Sequence, residues 1–236
     1  MVRRARRVLG ALSPIRSSTG ITEPRGRLRH TPVMWRHPII HLLLASYVAW
    51  GAWNWFQNRP VRAPDGILAP TDPMQVDVPD GAHARIGHWM LTVRAHYRIT
   101  ARILSLERYH WDSLSALVPE DLALGWGVMS DNRALQGVDI SQSNRFYYWR
   151  EVGGRSLPRE AIIDHSANTH VIPADALVAR ELRHLHPGET VTLTGDLVDG
   201  VRDDGAFIHT SLTRTDTGPG ACEVMLVRDV VEERYP

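Results

Sequence analysis

The longest apolar stretch of the chain lies near the N-terminus, at residues 39–56. It carries no charge, and its only clearly polar residues are His41, Ser46 and Asn54. At about 1.5 Å per residue, a helix of this length covers roughly 27 Å, which is enough for a thin bilayer core. Tryptophans gather at its C-terminal end, as aromatic residues do at the headgroup interface. The pattern predicts a transmembrane helix over residues 36–57.

The arginines are distributed unevenly about this segment. Nine arginines and one acidic residue precede residue 38, so that part carries +8, while the rest of the chain carries −7. Because basic segments stay in the cytoplasm, residues 1–35 are expected to be a disordered basic cytoplasmic tail attracted to anionic lipid. Residues 58–236 would then face the periplasm of a bacterial inner membrane. Two alternatives stay open, namely a cleavable signal peptide and a translation start at Met34 instead of Met1.

After the apolar segment, the pattern changes twice. Residues 58–88 are rich in proline and have no helical period, which predicts an extended linker. Polar and apolar residues then alternate over 89–109, which predicts a long strand or a bent pair of strands. Aromatic residues at 145–152 predict another strand, and a short helix is expected within 113–127. The exported domain therefore spans residues 89–236.

The second half of this domain predicts more strands and one helix. Residues 161–173 predict a strand, with a break near Asn168. In residues 174–186, apolar residues recur at the spacing of an amphipathic helix, and Pro187 with the glycine after it ends that helix. Three further strands follow. We expect an α+β fold that is mainly β, in the form of a small antiparallel barrel or a strongly curved sheet.

The order of helix, strand, hairpin and strand over about residues 160–232 resembles the oligonucleotide/oligosaccharide-binding (OB) barrel. An SH3-like barrel fits almost as well. The phrases LALGWGVMSD (122–131), HSANTHVIPA (165–174) and DTGPGACEVMLV (216–227) also resemble a group of uncharacterised bacterial single-pass membrane proteins. That resemblance implies a bacterial anchored protein and brings no known activity with it.

The run DHSANTH at 164–170 raises the question of a metal or catalytic site. His165 and His170 are five residues apart, so they point to opposite faces of a strand and cannot form a simple metal pair. Consecutive Asp, His and Ser residues cannot form a catalytic relay either, because its members come from separate elements. We therefore interpret the run as polar positions of a half-buried strand, with His165 at most contributing to a site at the barrel rim.

The loop before the last strand contains two further candidates, Arg214 and Asp216. An arginine on a barrel loop suits a carboxylate or a sugar hydroxyl, while the plainer interpretation is an Arg–Asp pair that braces a glycine-rich loop. Cys222 is the only cysteine, so no intramolecular disulfide is possible. Its position at a strand start favours a small buried apolar residue over a reactive thiol.

These observations favour a membrane-anchored periplasmic binding or envelope-assembly module without catalytic activity. Its partners would be the lipid bilayer, through residues 36–57, and a protein of the envelope. The acidic exported part argues against nucleic acid. No motif predicts catalytic residues, a metal or a cofactor, and none indicates an oligomeric state. The alternative is a membrane-tethered hydrolase acting on envelope material or nucleic acid, with His165, Arg214 and Asp216 as its low-ranking ligand-binding candidates.

Overall fold

The computed structural model describes residues 38–57, 59–79, 81–153 and 157–233. The chain divides into two units, residues 1–46 and residues 47–236. The predicted basic tail and the alternative start at Met34 lie outside the described residues.

The N-terminal apolar segment is a helix, α1 (Pro38–Gln57), as expected from its pattern. All of its side chains that the structure describes are exposed. Within the described residues, no helix combines the length and the mean hydropathy that a bilayer crossing requires. The expectation of a membrane-spanning helix over 36–57 is thus not supported, because tryptophans and the polar His41 and Asn54 dilute the aliphatic residues.

The remaining described residues form ten strands, three short helices and one 3-10 turn. In chain order the strands are β1 (Met74–Asp77), β2 (His83–Ile86), β3 (Trp89–Arg108), β4 (Glu120–Gly125), β5 (Val138–Ser143), β6 (Phe146–Glu151), β7 (Ser166–Pro173), β8 (Thr190–Arg202), β9 (Phe207–Ile208) and β10 (Glu223–Glu232). The helices are α2 (Asn132–Leu135), α3 (Arg159–Asp164) and α4 (Ala176–His184), and the 3-10 turn is Gly127–Ser130.

Five of the strands close into a ring in the order β3–β4–β7–β10–β8 and back to β3. Neighbours are antiparallel except β7 and β10, which run parallel. The long strand β3 pairs with β8 along most of its length and with β4 at its C-terminal end, and bulges near Val93 and Ile103 bend it between these partners. The predicted mainly β architecture with a strongly curved sheet is confirmed.

Apolar residues cover both faces of the ring strands. One core cluster contains Val171 of β7 and Met225 of β10. A second contains Ile172 of β7 together with Val224 and Leu226 of β10, which are the residues on either side of Met225. Since successive strand residues point to opposite faces, both faces of β7 and β10 are buried. Helix α4 packs its apolar face on the first cluster, which confirms the amphipathic helix predicted at 174–186.

The structure differs from the sequence expectations in three segments. Residues 58–88, expected to be a linker, contain β1 and β2, which both pair with β3. The helix expected within 113–127 does not form, and the second half of this segment contains β4, in which all six residues are buried. Residues 159–164 are helical, and the strand expected at 161–173 begins only at Ser166. Short apolar runs look the same in buried helices and buried strands, and pairing with neighbours decides between them.

Strands β5 and β6 form a separate hairpin. Its two turn residues, Asn144 and Arg145, have φ angles of 51° and 70°. A two-residue turn with both φ angles positive is the type that matches the twist of a hairpin, and asparagine tolerates it well. This turn places the Arg145 side chain at the hairpin tip.

Candidate active site

Three neighbouring ring strands bring polar residues to one face. Asp121 of β4 lies directly opposite His170 of β7, and His170 is in register with Val224 of β10. Cys222 precedes Val224 by two residues, so strand alternation places it on the same face. An acid, an imidazole and a thiol, each from a different part of the chain, are therefore side by side.

The first contact of this row is between Asp121 and His170. The Nδ1 atom of His170 lies 2.7 Å from Oδ1 of Asp121, whose side chain is completely buried. A carboxylate accepts hydrogen bonds only, so Nδ1 carries the proton and Nε2 is left for another partner. The Cys222 thiol is close enough to the His170 ring to favour its charged form, and Nε2 is the ring nitrogen that can face it.

The surroundings of His170 favour its protonated form. Burial alone would lower the pKa of His170, but the hydrogen bonds and charges of Asp121 and Cys222 outweigh it and raise the pKa to about 9. Hydrogen bonding to the charged form is the usual reason why a buried histidine keeps its proton. A high pKa makes the neutral ring a strong acceptor for the proton of a neighbouring thiol.

Arg145 binds Asp121 from the hairpin. Its Nη1 lies 3.1 Å from Asp121 Oδ1, and its Nε and Nη2 each donate to the Asp112 carboxylate at 2.9 Å. The guanidinium also stacks on the Tyr109 ring, 3.6 Å from the ring centroid. Planar guanidinium groups are suited to such forked and stacked contacts. The hairpin tip is thereby joined to β4 beside the His170 ring.

Asn168 approaches the thiol from the other side. Its Nδ2 lies 3.5 Å from the sulfur of Cys222, and its Oδ1 accepts a 2.7 Å hydrogen bond from Nε2 of Gln142 on β5. Asn168 precedes His170 by two residues and so shares its face. The half-buried thiol is therefore contacted by an imidazole and by an amide donor.

A cavity of about 310 Å³ opens at the thiol. The aromatic run of β6, residues 146–149, lines one side, and the loop residues 216–219 line the other. Cys222 and Asn168 also line the cavity. Small-molecule sites have this composition, with a largely apolar wall and a few polar groups.

The structure brings two of the three residues predicted from sequence to this cavity. Arg214 and Asp216 both line it, but they do not pair with each other. Arg214 Nη2 donates to the Pro73 carbonyl at 3.1 Å, and Asp216 accepts from the Ser211 hydroxyl at 2.7 Å. His165 is not among the lining residues, since its Nδ1 bonds the carbonyl of Ala161 at 2.9 Å, within its own helical turn.

Glu223, the residue after the cysteine, also lines the cavity although its exposed fraction is only 6%. Its Oε2 is a buried oxygen without a hydrogen-bond partner among the described residues. Burial, together with the nearby Asp216 charge, raises the pKa of Glu223 to about 8, against opposing contributions from its own backbone N–H, Arg214 and His170. The carboxyl is therefore uncharged at neutral pH.

Within the part of the chain that the structure describes, no group of three or more His, Cys, Asp or Glu residues is arranged to hold a metal ion.

Comparisons of the chain with protein-family models, with curated proteins and with solved structures gave no significant match in any of the three.

Proposed function

We propose that the protein is a cysteine-dependent acyl-transfer enzyme, a hydrolase in the simplest case, with Cys222 as its nucleophile. The observation that carries this proposal is the row Asp121–His170–Cys222 beside an open cavity. A nucleophile, a base in contact with it and a group that orients the base are the three parts of nucleophilic catalysis by a thiol or hydroxyl. The proposal adopts the hydrolase alternative that the sequence left open, with a different set of residues.

In the first half of the reaction, the neutral form of the His170 ring takes the thiol proton at Nε2 and the sulfur attacks the carbonyl carbon of a bound ester, thioester or amide. A C–S bond forms while the carbonyl becomes a tetrahedral oxyanion. The oxyanion then collapses, the bond to the leaving group breaks, and the leaving group takes the proton from His170. Water repeats the sequence on the resulting thioester, which releases a carboxylic acid and restores the thiol.

The neighbours of the thiol have supporting roles. Asp121 holds the His170 ring in the tautomer that directs Nε2 to the sulfur, and stabilises the ring when it is protonated. Arg145 is a positioning residue, because it acts through Asp121. Asn168, at 3.5 Å from the sulfur, is the side-chain donor best placed to contact the reacting atoms.

The test is acyl-enzyme formation with p-nitrophenyl acetate. We expect a burst of p-nitrophenolate and a single acetyl group on Cys222, detected by mass spectrometry of the digested protein. The chain contains no lysine, so competing acetylation is low. Cys222→Ala should abolish the burst, and His170→Ala should slow it by roughly 10³-fold.

His96→Ala is the matched control, because His96 also bonds a buried aspartate, Asp196, at 2.7 Å, but has no thiol beside it. The burst of the His96→Ala protein should equal that of the unaltered protein. A Cys222→Ala protein that keeps the burst would overturn the proposal. If the unaltered protein binds aromatic acyl compounds without any acetylation of Cys222, the cavity belongs to a non-catalytic binding module, the function first favoured by the sequence.

We further propose that the ring is an OB-like barrel. Five strands closed into a ring, with one helix between the third and fourth of them, support this assignment. OB-like barrels bind ligands on their strands and connecting loops. The cavity at Cys222 lies against one ring strand and the loop that precedes another, which agrees with such use.

We also propose that α1 holds the protein at a bilayer, with the domain on the periplasmic side. Exposed aliphatic and tryptophan side chains along the helix support contact with lipid, and the arginine-rich segment before it supports attraction to anionic headgroups. A periplasm-dependent reporter fused after residue 236 should be active in the membrane fraction. Leu43→Arg should shift the fusion to the soluble fraction, whereas Arg59→Gln should not. Activity of a cytoplasm-dependent reporter would overturn the topology.

A further inference from the structure

Arg214 is a cation without a carboxylate partner in the part of the chain that the structure describes. Its one side-chain hydrogen bond goes to the Pro73 carbonyl, and the expected pair with Asp216 does not form, since Asp216 bonds Ser211 instead. A carbonyl oxygen satisfies one guanidinium N–H and leaves the charge uncompensated. Arg214 therefore presents a positive charge at the cavity that contains Cys222.

Glu223, the buried acid of the cavity, does not cancel the charge of Arg214. Glu223 is uncharged at neutral pH because burial raises its pKa to about 8. A protonated carboxyl has one O–H donor, and Oε2 of Glu223 is the buried oxygen without a partner. The cavity thus offers a cation beside an uncharged carboxyl, an arrangement that suits an anionic oxygen. Asp216 is exposed, so solvent screens its opposing charge.

Aromatic side chains form a large part of the cavity wall. The aromatic side chains of Phe146, Tyr148 and Trp149 line it, and they offer flat surfaces for a hydrocarbon or aromatic group. A ligand that fills about 310 Å³ between these two regions has an apolar part and one acidic group.

We infer that the cavity at Cys222 binds carboxylates, with Arg214 as the counter-ion. The inference rests on the proposed function in one respect: the substrate would be an acyl compound that carries a carboxylate in addition to its reactive carbonyl. Among molecules with the same reactive group, those with a negative charge would then be preferred.

Two alkylating reagents test this directly. Iodoacetate and iodoacetamide react with a thiol in the same way, by forming a C–S bond and releasing iodide, but only iodoacetate is charged. Cys222 is the only cysteine, so mass spectrometry reports one site. The measured quantity is the ratio of the iodoacetate rate to the iodoacetamide rate for each protein, in which the intrinsic reactivity of the thiol cancels.

Arg214→Gln should lower this ratio roughly threefold or more relative to the unaltered protein. Arg214→Lys keeps the charge and should retain most of the preference, while Asp216→Asn should raise the ratio. Arg133→Gln is the matched control, because Arg133 is exposed and does not line the cavity; its ratio should not change. Equal ratios for the unaltered protein and Arg214→Gln would overturn the inference.

The alkylation ratio tests the carboxylate site independently of any catalytic activity. If Cys222 is not acetylated by p-nitrophenyl acetate but the ratio depends on Arg214, the carboxylate site stands and the proposed enzyme activity does not. If acetylation occurs and the ratio is insensitive to Arg214, the opposite holds. Thermal unfolding of each variant shows whether the fold is retained before the ratios are compared.

Discussion

Two buried aspartates of the barrel, Asp121 and Asp196, hold the same three-part arrangement. Each accepts a hydrogen bond from a histidine Nδ1 at 2.7 Å, and each is paired with an arginine. For Asp196 the partners are His96 and Arg228, with the arginine Nε at 2.8 Å. The two groups differ only in detail, since Asp121 receives both contacts on Oδ1 and Asp196 receives one on each oxygen.

The partners differ in exposure. The side chains of His170 and Arg145 beside Asp121 are 11% and 14% exposed, whereas those of His96 and Arg228 are 67% and 53% exposed. Solvent screens the exposed pairs and competes for their hydrogen bonds. An Asp–His contact is therefore common on this protein, and enclosure together with a neighbouring thiol distinguishes the candidate active site.

Removing each carboxylate should give the largest difference between the two groups. Asp121→Ala leaves Arg145 and His170 enclosed without their common partner, and we expect a loss of about 3–5 kcal/mol in the free energy of unfolding. Asp196→Ala leaves two solvated partners and should cost about 1 kcal/mol. Urea denaturation measures both values. Equal losses would show that enclosure does not separate the two sites.

Some elements of the strand ring were predicted from sequence because their patterns are local. Alternation marked β3, and the spacing of apolar residues with the Pro-Gly stop marked α4. The edge strands β1 and β2 were missed, because proline-rich segments with few apolar residues give no periodic signal and are defined by pairing with β3. Strand β4 was missed because both of its faces are buried, which removes the alternation.

The candidate active site could not be predicted from local sequence patterns. His170 was judged against His165, the nearest histidine in the chain, whereas its partners Asp121 and Cys222 come from neighbouring strands of the ring. No local spacing encodes that neighbourhood, since it depends on the order in which the strands close. The available signal was weaker: charged residues at the start of a strand that is otherwise apolar, as in EDLALG, and a thiol directly before such a strand, as in ACEVMLV.

The pH dependence of stability gives a finer distinction between the two histidines. The folded pKa of His170 is about 9, above its ordinary value of 6.5. Between these two values the folded protein binds more protons than the unfolded chain. The free energy of unfolding should therefore fall as pH rises from about 6.5 through 9, with a slope of at most about 1.4 kcal/mol per pH unit from this group.

Substitutions show which residue produces that slope. His170→Gln should remove the part that belongs to His170, while His96→Gln, at the exposed counterpart, should leave the slope unchanged in urea denaturation series from pH 6.5 to 9. Glu223 contributes in the same direction but over a lower window, because its folded pKa of about 8 lies above an ordinary value of 4.5. Glu223→Gln should thus flatten the curve between pH 4.5 and 8 and leave the decline above pH 8. If His96→Gln changed the slope as much as His170→Gln, the enclosed and the exposed histidine would be electrostatically equivalent. Enclosure would then not be the reason why His170 holds a proton beside Cys222.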